Sequence, residues 1–170
     1  MRQSARAVFF IFFNLTPNVR GITECYTHLM QNLILETPFW IVKLNEDQQY
    51  LGRSTIVLKR DCGALSDLTQ EEGQDFLTLV KRLETLLKTT FNATMFNWTC
   101  LMNDSYKSTP PDPQVHWHVR PRYDHPVEFA GETFTDPNFA HHYLRGREDK
   151  KVLSEELFEK VVLELKKGLS

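Results

Sequence analysis

Apolar and polar positions alternate with a period of two across Thr94–Met102. Phe96, Trp98, Cys100 and Met102 share one face, and Asn97, Thr99 and Leu101 the other, with Asn103 just beyond, which predicts a strand. Two earlier runs, Phe39–Leu44 and the β-branched Ser54–Lys59, predict strands flanking the polar turn Asn45–Gln49. The period then changes to that of a helix. Phe76, Leu79, Val80, Leu83, Leu86 and Leu87 fall on one face, Thr69 and Glu72 open the helix as a capping box, and the pattern runs to about Leu87. A shorter helix is predicted from Glu24 to about Gln31, with Thr23 as N-cap and Cys25, Leu29 and Leu33 at helical spacing. Gln114–Val119 reads as a further strand that Pro121 stops. The tail from Asp124 is turn-rich until Ser154 caps a last helix, with Phe158, Val161, Val162 and Leu165 inward and Gly168 at its end.

Strands mixed with a few helices, joined by connections too short for repeated parallel crossovers, predict an α+β fold with a mostly antiparallel sheet of about five strands. The chain length of 170 residues suits one domain. Its expected parts are an arm over 1–23, the domain over 24–123 and an extension over 124–170 that packs on it. With 41% hydrophobic and 25% charged residues, the composition excludes a disordered chain. A net charge of −2 gives no general attraction to nucleic acid or to an anionic membrane, and no basic aromatic face suggests an RNA adaptor.

Three scattered cysteines, Cys25, Cys62 and Cys100, make no disulfide framework, so a reduced, cytoplasmic protein is expected. The apolar run Ala7–Phe13 behind Arg2 and Arg6 has the start of a signal peptide. No small-x-small cleavage site follows, and the run is far short of the roughly 18 apolar residues of a membrane span. Cys25 and His28 have a metal-ligand spacing, but a tetrahedral zinc site needs two further ligands, which His125, His141 and His142 supply only if the tail folds back. A plain helix carrying a buried cysteine is the favoured reading.

The chemistry concentrates in Gln114-Val-His-Trp-His-Val-Arg-Pro-Arg122. Strand alternation sends Val115, Trp117 and Val119 to the core and lines Gln114, His116, His118 and Arg120 along the opposite face. Two imidazoles and one or two guanidinium groups on one rigid surface suit a phosphate-bearing ligand: neutral imidazole is a nucleophile, and arginine matches phosphate oxygens in pairs. The same pattern also describes a solvent-facing polar stripe.

This run resembles the signature of the histidine triad superfamily of nucleotide hydrolases and transferases, His-φ-His-φ-His-φ-φ followed by Pro-Arg, with φ apolar. Pro121-Arg122 anchors the match and places Gln114 at the first histidine, His116 at the second and His118 at the third. Asn45, seven residues before Gly52, resembles the ribose-contacting residue, Gly52–Arg60 the Gly-His-x-Leu-Val-x-Pro-Lys-Arg strand, Leu65–Glu72 the start of the long helix, and Asn103 the amide that touches phosphate. The resemblance implies that His116 attacks the α-phosphorus of a nucleotide to form a nucleotidyl-histidine. The main-chain carbonyl of Gln114 would hold the ring's other nitrogen, and His118 would contact the phosphate and help protonate the leaving group. Asn45, Asn103, Gln114, Arg53 and Ser105 are the implied nucleotide contacts.

No metal or cofactor is implied, and a homodimer is, since members of this size commonly pair. Dinucleoside polyphosphates and nucleoside phosphoramidates are the implied substrates; a nucleotide-binding relative without turnover is the alternative. The chain departs from the pattern at Arg53, where histidine is usual, and at Asp61, which ends Lys-Arg-Asp instead of Lys-Arg-His. It departs again at Ser105–Pro113, where a Gly-rich loop is usual and where Ser105, Lys107, Ser108 and Thr109 would have to compensate.

Overall fold

Period-two alternation sorts each central strand into a core face and a second face. Trp40, Val42 and Leu44, and then Ile56 and Leu58, are buried, while Ile41, Lys43, Thr55 and Val57 between them are half-buried. These strands belong to a computed structural model that describes residues 32–143 and 150–169. Strands β1 (Leu33–Glu36), β2 (Trp40–Leu44), β3 (Ser54–Leu58), β4 (Met95–Thr99) and β5 (His116–Arg122) form one sheet in the order β1-β2-β3-β5-β4, antiparallel throughout. A separate hairpin pairs β6 (Val127–Phe129) with β7 (Glu132–Phe134). Helices α1 (Gln70–Phe91) and α2 (Glu155–Lys167) complete the α+β fold. No helix among the described residues is long and apolar enough to cross a membrane.

Helix α1 begins at the expected capping box: the Glu72 amide donates to Thr69 Oγ1 and the Thr69 amide to Glu72 Oε2. Glu72 is buried, and Arg60 at the end of β3 grips its carboxylate from Nε at 2.5 Å and Nη2 at 2.8 Å. That guanidinium holds the Glu72 carboxyl below its usual range. The Trp40 indole donates to the Glu72 carbonyl at 3.0 Å, so cap, sheet and core meet at one residue. Leu79, Leu83, Leu86 and Leu87 fill the core, and α1 continues one turn beyond its expected end because Phe91 is buried before Asn92 takes the left-handed conformation. Helix α2 carries the expected cap Ser154 and the buried Val161, Val162 and Leu165. Gly168 stays right-handed. Its need for glycine is proximity to α1, since a Cβ there would lie 2.7 Å from Leu86 and 2.9 Å from Thr90.

Three expectations change, and a fourth is not reached. Leu33 lies in strand β1, since a short apolar run, Leu33-Ile-Leu35, carries no period that separates strand from helix. The helix expected over Glu24–Gln31 is outside the described residues. The turn-rich tail contains the β6–β7 hairpin, whose tight turn uses Ala130 and Gly131 at positive φ. Pro121 does not stop β5. Odd-numbered residues of β5 direct their backbone groups toward β3, as Val115 does to Leu58, and β3 pairing ends at Ser54 opposite Val119. The missing N–H therefore faces a side with no strand to bond, while β4 pairs with β5 as far as Arg122.

Beyond α1, the sheet is closed by a buried ion pair. Arg122 is 0% exposed and Asp136 1% on their side chains, joined at 2.5 and 2.9 Å. The remaining donors of Arg122 reach Asn97 Oδ1 at 2.8 Å and the carbonyls of Asn138 and His141 at 2.6 and 3.1 Å. The segment after β7 is thereby fastened to the sheet. Arg122→Met leaves the Asp136 charge buried alone and is expected to cost about 3–5 kcal/mol in urea denaturation. Adding Asp136→Leu should recover most of it; a loss below about 1 kcal/mol in the single variant would show that the pair does not hold this segment.

Candidate active site

Cross-strand register, more than sequence distance, assembles the polar face. His116 lies opposite Val57 of β3, and His118 opposite Thr55 on one side and Thr99 of β4 on the other. Lys43 of β2 pairs with Thr55, and Asn97 with Arg120. Arg53, just before β3 and past its last pair with β5, lies close enough for its charge to act on Arg120 and His118. Trp117 and Val119, between these residues, turn to the other face, where Trp117 stacks on Phe76 of α1 at 4.9 Å between ring centroids. Phe96 and Trp98 pack against the core there too, as expected.

The His116 ring is fixed by its Nδ1, 2.7 Å from the carbonyl of Gln114. A carbonyl only accepts, so Nδ1 carries the proton and Nε2 the lone pair. The Gln114 side chain is engaged elsewhere. Its Oε1 accepts from the Cys62 amide at 2.9 Å, and its Nε2 donates to the carbonyls of Leu58 and Arg60, both at 2.8 Å. These bonds continue the ladder past the end of β3, where the Val115 amide also reaches the Cys62 carbonyl.

His118 meets a hydroxyl instead. Asn45 Nδ2 donates to Thr55 Oγ1 at 3.2 Å, and Thr55 Oγ1 lies 3.4 Å from His118 Nδ1, a contact that suits either ring tautomer because a hydroxyl both donates and accepts. The two rings stand at 90° with centroids 4.9 Å apart. Burial, and then the electrostatic influence of neighbouring His116 and of the Arg120 and Arg53 guanidinium groups, push His118 down to about 4. The ring is neutral at pH 7. In the unliganded protein it is therefore a hydrogen-bonding group, and the proton delivery expected of it belongs to the liganded site.

The other expected site residues divide. Arg53 reaches the face and pairs with Asp47, while its Nε is buried with no partner. Asn45 sits at the edge of the face and turns inward, since its Oδ1 also accepts from the Asp47 amide at 3.0 Å. Asn103 and Ser105 are not on the sheet. They lie in a 3-10 turn, Asn103–Lys107, that follows β4, and the Asp104 charge from this turn acts on His118. Cys25 and His28 lie outside the described residues, and no group of three or more metal-ligating side chains occurs among the described residues.

Three participants were not assigned from sequence: Thr55, Thr99 and Asp47. The alternation that predicted β3 already placed Thr55 on the polar face, so that signal was available. Tyr143, which a tail segment packing against the domain can bring over the pocket, is buried, and its ring lies 4.2 Å from the Arg120 guanidinium carbon.

Residues 27–125 match the family model described as HIT domain. The fold resembles that of a histidine triad protein from Marinobacter aquaeolei VT8, with TM-score 0.61 and 20% identity over 84% of this chain and 93% of that one. It also resembles that of the Plasmodium falciparum diadenosine triphosphate hydrolase (TM-score 0.55, 18% identity, 81% of this chain and 75% of that one). The C. elegans NitFhit protein has TM-score 0.55 and 20% identity over 81% of this chain, which spans only 27% of its length. No curated protein matches the chain.

The lowered His118 value has a consequence for stability. An unfolded histidine titrates near 6.5 and the folded ring near 4, so the unfolded chain binds the extra proton between those limits. Stability should fall as pH drops from about 6.5 toward 4, and His118→Asn should flatten that part of the melting-temperature profile. An unchanged slope in the variant would remove His118 as its source.

Proposed function

This chain belongs to the HIT domain family, and we propose that it is a nucleotide hydrolase or nucleotidyl transferase acting at the α-phosphate of a nucleoside-phosphate conjugate. The observation that carries this reading is the 2.7 Å contact between His116 Nδ1 and the Gln114 carbonyl, which leaves the Nε2 lone pair for attack. Histidine at position 114 is not needed for this, because the acceptor is main chain.

In the first step, Nε2 of His116 bonds to the α-phosphorus. The bond from phosphorus to the leaving oxygen or nitrogen breaks, and the leaving group departs with the electron pair and takes a proton from solvent. His118, in the tautomer that donates from Nε2, stabilises charge on a phosphate oxygen. Water then attacks the phosphorus, the phosphorus–nitrogen bond breaks and returns its pair to Nε2, and the water proton passes to solvent. Nucleoside monophosphate is released; an acceptor in place of water makes the reaction a transfer. Dinucleoside polyphosphates and nucleoside phosphoramidates are the candidate substrates, the former supported by the fold shared with the Plasmodium hydrolase. One observation favours binding without turnover: the loop before β5 carries Pro110, Pro111 and Pro113, and so offers few amides to a phosphate.

A denaturing quench at alkaline pH, where a phosphorus–nitrogen bond survives, during turnover of diadenosine tetraphosphate or an adenosine phosphoramidate is expected to trap adenylate on the wild-type chain and none on His116→Ala, whose rate should fall about 10³-fold or more. Turnover by His116→Ala at the wild-type rate would exclude it as the nucleophile. Tight calorimetric binding of AMP with no product from either substrate would establish the binding alternative.

A further inference from the structure

The transfer at His116 gives no role to the two arginines beside His118. Arg120 is 7% exposed, and its guanidinium meets only the Thr99 hydroxyl at 3.1 Å and the face of Tyr143. No carboxylate pairs with it among the described residues. Arg53 has Asp47, whose Oδ1 is already taken by the amides of Gln49 and Lys151, and its Nε is buried without a partner. Among the described residues two guanidinium groups therefore share one carboxylate in a largely desolvated place, and one positive charge has no partner there. Such an arrangement is costly without an anion. Arg122, the next residue on the same face, shows the satisfied form: two oxygens of Asp136, an amide and two carbonyls. Among the described residues Arg122 has an anion and Arg120 has none.

Both arginines also stand where the family pattern has something else, histidine at 53 and an apolar residue at 120. The charge of Arg53 acts on Arg120, and Arg120 is two residues from His118 and so about 6–7 Å along the strand. We propose that Arg53 and Arg120 form a second anion subsite, which binds a further phosphate of the ligand beside the phosphate that reacts at His116. Guanidinium forks match phosphate oxygens in pairs, and a doubly phosphorylated nucleotide satisfies both arginines at once. This rests on the nucleotide reading of the site. The further phosphate has two sources, an extended 5′ chain or a phosphate on the ribose.

Calorimetric titration of the full chain with AMP, α,β-methylene-ADP and adenosine 3′,5′-bisphosphate separates them. One of the two bisphosphorylated ligands is expected to bind about tenfold or more tightly than AMP, and which one does so identifies the source. In Arg120→Gln that preference should shrink to within about threefold while AMP affinity holds. Arg53→Gln, at a position less enclosed than Arg120, should reduce it in the same direction and serves if Arg120→Gln does not fold. If AMP binds and neither bisphosphate is preferred, or the preference survives in the variants, the subsite is overturned and the nucleotide reading stands. If none of the three ligands binds, both fall together.

Discussion

The register of β5 between β3 and β4 is the constraint on which the chemistry depends. Side chains alternate along a strand, so a slip of one residue would turn His116 and His118 against α1 and expose Trp117 and Val119. Several contacts forbid that slip. Trp117 is stacked on Phe76, Val119 is buried opposite Ser54, and the Gln114 side chain bonds to the backbone of Leu58, Arg60 and Cys62. Arg122 locks the other end through Asp136. The histidines are thus positioned by their apolar and structural neighbours rather than by each other.

Within that frame, the same residue types are put to different uses by their hydrogen-bond partners. His116 faces a carbonyl and keeps a lone pair on Nε2; His118 faces a hydroxyl, which serves either tautomer, and is kept neutral by burial. Arg60 and Arg122 each close on a buried carboxylate and hold elements together, whereas Arg120 meets a hydroxyl and an aromatic ring. Charge type alone does not distinguish these cases. The partner does, because a buried guanidinium with two carboxylate oxygens is structurally satisfied and one without is available to a ligand.

Much of the frame was legible in the chain. The capping box at Thr69 and Glu72, the period of α1, the inner face of α2 and the two faces of β5 are local patterns, and each appears in the structure where the pattern put it. The elements that were missed are short or ambiguous: β1 is an apolar run without period, and β6 and β7 have three residues each. Pro121 was misjudged because its effect depends on whether a neighbouring strand reaches that far, which no local rule contains.

By itself, the sequence determined which residues share a face, because alternation and helical period follow from backbone geometry within a few residues. Only the tertiary structure decided what each polar residue on that face does. Gln114 was bound to the end of β3 by contacts more than fifty positions away, Tyr143 was brought from the tail to Arg120, and His118 was made neutral by burial and by the arginines around it. Hydrogen-bond partners and local dielectric are set by groups distant in the chain, so these roles exist only once the sheet has closed.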